Sequence, residues 1–187
     1  GNLMTLPLFF KALRSRNQYS ATSVDQLPHM LVALHMFGHQ LLLPIADIDQ
    51  ARYLLILGAN PAVSNGSLLS SAGLSSKIKN LRDKGGKVVV LDPRYTETAS
   101  LASEHHFIRP GTDAFLLAAV VKLLIGEHAP KLGRLKDLVK GLESLGELFA
   151  TIDLKTVESI TGVPQANIYA IATDLMTYET AICYGRF

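Results

Sequence analysis

Hydrophobic residues of this chain form two kinds of pattern: short unbroken runs, and longer stretches in which apolar residues recur every three or four positions. Runs without polar alternation are typical of strands buried on both faces, as in a parallel sheet. Recurrence every three or four positions instead indicates a helix with one apolar face. The unbroken runs predict strands at 53–57, 88–91, 106–108 and 181–184.

The periodic stretches predict helices between and around these strands. In the best defined of them, at 71–84, Leu74, Ile78 and Leu81 share one face, basic residues occupy the other, and a Gly-Gly pair follows. Other helices are predicted at 3–16, 27–37, 96–102, 113–125, 134–149 and 164–177. Strands that alternate with helices favour an α/β fold, here a Rossmann-like, mostly parallel sheet flanked by helices with an extra helical N-terminal segment. We expect one domain over 1–187, with its core at 50–187 and a helical and loop extension at 1–49.

The composition is apolar for a free-standing soluble domain, with 48% hydrophobic and 18% charged residues. A membrane protein is excluded for this stretch of chain, because it contains no run of about 18 uncharged apolar residues. The longest candidate, 114–124, is short and is broken by Lys122. The chain also begins without an initiator Met or a signal-peptide layout. We therefore expect it to be a buried piece of a longer gene product.

Several other classes of site are disfavoured. The net charge is only +2, and no basic stripe with interleaved aromatic residues indicates nucleic acid as a partner. A single cysteine, Cys183, excludes an internal disulfide and any cysteine cluster for zinc or an iron–sulfur centre within this chain. His35 and His39 have the spacing of metal ligands on a helix, but Gly38 interrupts that helix and no third ligand is evident. No convincing nucleophile and base are paired in the sequence, so the catalytic residues stay unknown.

Polar turns follow three of the predicted strands. The carboxyl ends of parallel strands share one edge of a sheet, and open α/β folds bind nucleotides there. In the first turn, Gly58 permits close approach of the backbone to a ligand, and Asn60, which precedes Pro61, offers both a donor and an acceptor. Ser64 and Asn65 are able to cap the next turn. An ordinary loop is the alternative, because the full Gly-x-Gly-x-x-Gly fingerprint is missing.

The second turn contains Asp92-Pro93-Arg94. An acid at this position can accept hydrogen bonds from ribose hydroxyls, and the forked guanidinium of Arg94 suits a pyrophosphate. Thr96 is expected to be the N-cap of the following helix. The alternative is a capped helix with a surface pair between Asp92 and Arg94.

The third turn, which includes Gly111-Thr112-Asp113, precedes the helix predicted at 113–125. The Asp113 carboxylate could accept two hydrogen bonds from guanine, one from N1–H and one from the exocyclic amine. Adenine presents an acceptor at N1, so this pattern would select guanine. The alternative is again a helix cap, formed by Thr112 or Asp113.

Taken together and in this order, the turns resemble the molybdopterin oxidoreductase family, also called the dimethyl sulfoxide reductase family. The matching segments are Gly58-Ala-Asn60-Pro61, Asp92-Pro93-Arg94-Tyr-Thr96-Glu97-Thr98-Ala99 and Arg109-Pro110-Gly111-Thr112-Asp113, and 17–28 is similar to the family's stretch near the metal. The resemblance covers essentially the whole chain as one central domain. It implies that this domain holds one of two molybdopterin guanine dinucleotides around a molybdenum or tungsten atom, with the extension at 1–49 near that atom.

The resemblance also implies roles for residues. The segment 57–64 would line the pterin pyrophosphate and ribose, Asp92 and Arg94 would contact ribose and phosphate, and Gly111, Thr112 and Asp113 would bind guanine. Asp25 is the best positional candidate for a protein ligand of the metal, with Ser20 and Ser23 behind it.

The parent protein would be an enzyme of two-electron redox chemistry, such as oxygen-atom transfer or formate-type oxidation. The resemblance further implies an iron–sulfur cluster in a preceding part of the parent chain and an iron–sulfur electron-transfer subunit as a possible partner. The isolated chain is expected to be inactive, because half of the cofactor clamp and the electron path lie outside it.

Two other functions stay open. The large iron–sulfur subunit of respiratory complex I resembles this family without carrying the molybdenum cofactor, so the chain could be a cofactor-free scaffold. A Rossmann-like domain for another nucleotide, such as a nicotinamide, is the second alternative, and the missing glycine fingerprint argues against it.

Overall fold

The structure is a computed structural model that describes residues 2–17, 19, 22, 25–64, 69, 71–126 and 132–185. The chain divides into two compact units, an N-terminal unit that reaches Pro44 and a sheet unit over Ile45–Arg186.

The N-terminal unit contains two helices, α1 (Asn2–Leu13) and α2 (Leu27–Phe37). Gly38 ends α2 in the left-handed conformation, at φ 78°, and its N–H bonds to the carbonyl of Leu34 at 2.9 Å. The helix predicted at 27–37 is confirmed with its bounds, whereas the one predicted at 3–16 ends three residues earlier, before Arg14, whose φ of 52° is left-handed. None of the helices in the described ranges is long and apolar enough to cross a membrane.

The sheet unit is built on a four-stranded parallel sheet. Its strands are β1 (Tyr53–Leu57), β2 (Lys87–Leu91), β3 (Glu104–His106) and β4 (Ala181–Gly185), in the spatial order β3-β2-β1-β4. All three pairings are parallel. The predicted α/β class with a parallel sheet flanked by helices is therefore confirmed.

Helices connect the strands. Two helices, α3 (Pro61–Ser64) and α4 (Leu74–Asp83), lie between β1 and β2, and α5 (Glu97–Leu101) leads to β3. The long connection to β4 contains α6 (Asp113–Gly126), a 3₁₀ turn at Gly133–Leu135, α7 (Leu142–Phe149), α8 (Leu154–Thr161) and α9 (Gln165–Thr177).

Both faces of the sheet are covered, which explains why the strands have no polar alternation. Tyr53, Leu55 and Leu57 face a core that α6, α8 and α9 complete. Leu54 and Ile56 point the other way, into a core with α4 and α5. Every residue of β1 is buried, so a polar side chain at any of these positions would lose its hydration.

The third strand begins and ends two residues earlier than the predicted 106–108. Pairing of Val89 with Glu104 sets this register, and Ile108 packs in the core beyond the strand end. Polar residues are tolerated in β3 because it is an edge strand and because Lys87 of β2 pairs with Glu104 at 2.9 Å.

The segment after α6 also differs from its prediction. A single helix at 134–149 is wrong: a 3₁₀ turn stands first, and α7 begins only after Gly141, whose φ of 82° interrupts a helix. The sequence patterns did not predict α8 at all. Its signals are local, because Asp153 caps it by accepting from the Thr156 N–H at 2.8 Å, and Gly162 ends it at φ 78°.

Candidate functional site

The three polar turns lie at one edge of the sheet. Leu57 of β1, Leu91 of β2 and His106 of β3 are aligned by the pairing register, so these strands end level with one another. The turns that follow therefore start from the same edge, as the sequence predicted. A backbone bond from Gly58 N–H to the Leu91 carbonyl, 2.9 Å long, connects the first turn to the end of β2.

Gly58 adopts the conformation for which glycine is favoured. Its φ is 56°, in the left-handed region, where a side chain would strain the backbone. No atom of the described residues lies within 4 Å of the position that a Cβ would occupy. The first turn thus leaves open space beside its backbone, as the close approach of a ligand requires.

Asn60 uses its side chain within the protein. Its Nδ2 donates to Glu97 Oε2 at 2.7 Å, and its Oδ1 accepts from the Thr98 hydroxyl at 2.7 Å and from the Thr98 N–H at 3.2 Å. The Thr98 hydroxyl in turn accepts from the Ala62 N–H at 3.0 Å. Sequence reasoning proposed Asn60 as a ligand contact and did not include Glu97 or Thr98 among the site residues, although both lie in the quoted motif.

The rest of the first turn is helical. Pro61 is buried and opens α3, and the Ser64 hydroxyl donates back to the Asn60 carbonyl at 3.3 Å. Asn65, Ser20 and Ser23 lie outside the described residues.

The second turn is rigid around Asp92 and open around Arg94. Asp92 is buried, and its Oδ1 accepts from the Arg94 N–H at 2.8 Å. Pro93 and Arg94 are exposed, and within the described residues the Arg94 guanidinium makes no hydrogen bond or ion pair. The surface pair between the two side chains is therefore not formed, because Asp92 bonds to the backbone of Arg94 instead.

Thr96 is the helix cap that its position predicted. Its hydroxyl oxygen accepts from the Ala99 N–H at 3.1 Å, and the residue is buried. The pKa of the neighbouring Glu97 is lowered by its backbone hydrogen bond and by the amide of Asn60, with a smaller contribution from the positive charge of Arg94.

The third turn presents a carboxylate that has no partner in the described part of the chain. Gly111 is left-handed at φ 76°, and the Thr112 hydroxyl donates to the Arg109 carbonyl at 2.6 Å. Asp113 is the first residue of α6 and is half-buried. Across the described ranges, no donor bonds to its carboxylate, and neither Thr112 nor Asp113 caps the helix through its side chain. The alternative interpretation of this turn, a side-chain helix cap formed by Thr112 or Asp113, is therefore not supported.

Arg109 anchors this third turn to α8. Its guanidinium donates to the carbonyl oxygens of Ser159 and Ile160, and its backbone N–H bonds to the carbonyl of Thr161 at 2.9 Å. These carbonyls lie at the C-terminal end of a helix, where a cation is favoured by the helix dipole. Arg109 therefore has a structural role that sequence reasoning did not assign.

Metal-ligating residues are scattered in the described part of the chain. Asp25 lies in an exposed turn before α2. His39 uses its Nδ1 to accept from the Leu41 N–H at 3.2 Å. Among the described residues no three His, Cys, Asp or Glu side chains are grouped in a way that could hold a metal ion.

The fold belongs to the class of open α/β sheets, which bind their ligands at the carboxyl edge of the strands. A family model described as molybdopterin oxidoreductase matches residues 2–129, and the chain belongs to this family.

Curated relatives agree with this assignment. The chain is 29% identical to the dimethyl sulfoxide reductase of Haemophilus influenzae over 88% of its own length and 23% of the relative's. It is 30% identical to an F420-dependent formate dehydrogenase alpha subunit of Methanocaldococcus jannaschii, over 76% of the chain and 19% of the relative. The chain thus spans less than a quarter of the length of these relatives.

A solved structure has the same fold. The acetylene hydratase from Pelobacter acetylenicus aligns with a TM-score of 0.63 and 28% identity, over 74% of this chain and 18% of the hydratase.

Proposed function

We propose that this chain is the part of a molybdenum or tungsten oxidoreductase that binds one molybdopterin guanine dinucleotide. The observation that carries the proposal is a pair of charges at the carboxyl edge that have no partner among the described residues: the Arg94 guanidinium at the second turn and the Asp113 carboxylate at the third. The family to which the chain belongs supports the molybdopterin part of the assignment.

The donor set fits a guanine dinucleotide. Arg94 is an exposed, forked cation suited to the pyrophosphate. Asp92 uses Oδ1 for the Arg94 N–H, which leaves its other carboxylate oxygen to accept from a ribose hydroxyl. Gly58 leaves open space beside the first turn. Pro93 and Thr96 would shape the second turn from within, and Pro61 and Ser64 the first.

Asp113 would recognise the base. A free carboxylate offers two acceptor oxygens to guanine N1–H and the exocyclic amine, while adenine has no donor at N1. Gly111 and Thr112 would set the backbone of this turn. Asp113→Asn replaces one acceptor by a donor, so a carboxylate-specific contact with guanine would be lost.

The cofactor, when bound, supplies two-electron redox chemistry, and this chain supplies binding and orientation. Oxygen-atom transfer or formate-type oxidation is the proposed reaction class of the parent protein. Asp25 is the proposed protein ligand of the metal. The rest of the parent chain, with an iron–sulfur cluster in its N-terminal part, and an iron–sulfur electron-transfer subunit are the proposed partners.

Elemental analysis of the full-length protein, purified without oxygen, tests the proposal. A stoichiometric amount of molybdenum or tungsten is the expected result. Neither metal in a folded protein, made in a host able to synthesise the cofactor, would favour the cofactor-free scaffold related to the complex I subunit.

The nucleotide has its own test on the 187-residue chain. Titration calorimetry should detect binding of GDP and much weaker binding of NAD. Preference for NAD would instead support the nicotinamide alternative.

A further inference from the structure

Thr98 lies where the first two turns of the edge meet. It is fully buried, with a relative exposure of 0%. Its hydroxyl donates to Asn60 Oδ1 at 2.7 Å and accepts from the Ala62 N–H at 3.0 Å. As donor and as acceptor, this hydroxyl therefore bonds to a segment that lies more than thirty residues earlier in the chain.

Glu97 holds the other end of the same amide. Its carboxylate accepts from Asn60 Nδ2 at 2.7 Å, while Thr98 holds the Asn60 oxygen. An amide has distinct donor and acceptor ends. A donor at one end and an acceptor at the other therefore fix a single orientation of the Asn60 side chain.

Besides these contacts, the first turn is held by the bond from the Gly58 N–H to the Leu91 carbonyl and by the buried Ala59 and Pro61. It contains a left-handed glycine, Gly58, and α3 is only four residues long. The second turn is braced from within, because Asp92 binds the Arg94 N–H and Thr96 caps α5. The contacts of Asn60 with Glu97 and Thr98 are side-chain hydrogen bonds that link the first turn directly to the second.

We propose that Thr98 and Glu97 are positioning residues for nucleotide binding, which act through the Asn60 amide to hold the first turn in register with the second. The inference rests on the proposed function, since it assumes that Gly58 and Arg94 serve the same bound nucleotide. It assigns the Asn60 side chain to the link between the turns rather than to the ligand. Holding the site in its binding conformation raises affinity, because less ordering remains to be done on binding.

Titration of the 187-residue chain with GDP tests the role of Thr98. Thr98→Val keeps the shape of the side chain and removes the hydroxyl, and we expect the Kd to rise about tenfold. Thr98→Ser restores the hydroxyl, and its Kd should stay within about twofold of the wild type. Thermal unfolding of each variant, measured alongside, separates loss of affinity from loss of fold.

Glu97 provides a second pair of variants in case Thr98→Val does not fold, because its side chain is exposed. Glu97→Ala removes the acceptor for Asn60 Nδ2 and should weaken GDP binding, while Glu97→Gln keeps an acceptor oxygen and should restore most of the affinity. A double-mutant cycle of Glu97→Ala with Asn60→Ala should be non-additive, because Glu97 has less effect on binding once the Asn60 amide through which it acts is gone.

The outcomes separate the two proposals. Wild-type chain that does not bind GDP would overturn the proposed function and this inference with it. Wild-type chain that binds GDP, with Thr98→Val and Glu97→Ala variants that bind equally well, would overturn the positioning role alone. Variants with a lower melting temperature but an unchanged Kd for GDP would also overturn the positioning role, since they would show that Thr98 and Glu97 contribute to stability only.

Discussion

The Arg109 guanidinium donates to the Ile160 carbonyl oxygen at 3.0 Å, across 51 residues of chain. This contact attaches the turn that carries Asp113 to the C-terminal end of α8. The carbonyl of Arg109 also accepts from the Thr112 hydroxyl, so Arg109 holds the turn together through its backbone and attaches it to α8 through its side chain. The candidate guanine site therefore depends on a helix that lies about fifty residues beyond it in sequence.

Removing this anchor should lower stability. We expect Arg109→Met to reduce the free energy of unfolding by roughly 1–3 kcal/mol, because two helix-end carbonyls lose a charged donor. The free energy of unfolding of Arg109→Lys should lie between those of Arg109→Met and the wild type, since a single ammonium replaces the forked guanidinium. Urea unfolding of the chain measures the effect. Arg134→Met is the matched control, because Arg134 is exposed and holds no such contact within the described residues. Equal stability of Arg109→Met and wild type would mean that the anchor contributes nothing.

Asp113→Asn tests base recognition directly. We expect GDP binding to weaken by roughly 1–3 kcal/mol, because the introduced NH₂ group would face an N–H donor of guanine, and two donors cannot form a hydrogen bond with each other. ADP binding should change little, since adenine does not present this donor pair. Asp137→Asn, which removes an exposed carboxylate elsewhere in the sheet unit, is the control for net charge. Unchanged GDP affinity in calorimetry would rule out the guanine assignment.

The sheet and the site edge could be predicted because their signals are local. The unbroken apolar run of β1 and the Asp92 and Asp113 turns are each readable from a few neighbouring residues. The hydrogen-bond partners of Asn60 could not be predicted in this way, because Glu97 and Thr98 contact it only after α4 and β2 have brought the two turns together. The β3 register shift has the same origin, since a salt bridge to Lys87 makes Glu104 acceptable in a strand.

Gly86 should be among the least replaceable positions of the fold. A Cβ there would lie 2.5 Å from Leu81 Cδ2, 2.7 Å from the Arg52 carbonyl oxygen and 2.8 Å from the Leu81 carbonyl oxygen. Backbone oxygens cannot move aside without shifting α4 or the start of β1. We expect Gly86→Ala to destabilise the chain by about 1–3 kcal/mol, as overpacking does.

Gly126→Ala is the matched control for that substitution. The added Cβ at this helix end meets no atom of the described residues within 4 Å, and the backbone is not left-handed. Alanine is the better helix former, so this variant should be neutral or slightly more stable. Comparison of the two by thermal unfolding isolates the crowding at Gly86, and equal melting temperatures would contradict it.

Lys87 joins three elements through two carboxylates. Its ammonium lies 2.7 Å from Asp174 of α9 and 2.9 Å from Glu104 of β3. Burial lowers the pKa of Lys87, but the hydrogen bonds to these carboxylates outweigh it and raise that pKa overall. The hydrogen bond from Lys87 lowers the pKa of Glu104 below its ordinary 4.5. Because the folded-state pKa of Glu104 is depressed, its contribution to stability is complete above pH 4.5 and is lost as the pH falls through the lowered value.

Lys87→Met should therefore destabilise the chain in a pH-dependent way. At pH 7 we expect a loss of about 1–2 kcal/mol, less than for a fully buried pair, because these side chains are partly exposed. As the pH falls through the lowered pKa of Glu104, this carboxylate takes up a proton in the folded wild type, so the difference between the two proteins should shrink. Urea unfolding at a series of pH values measures this difference, with Glu104→Gln as the control that should lack most of the acid dependence. A difference that stays constant down to pH 3 would mean that Lys87 stabilises the fold through its aliphatic stem or its pair with Asp174, and not through its pair with Glu104.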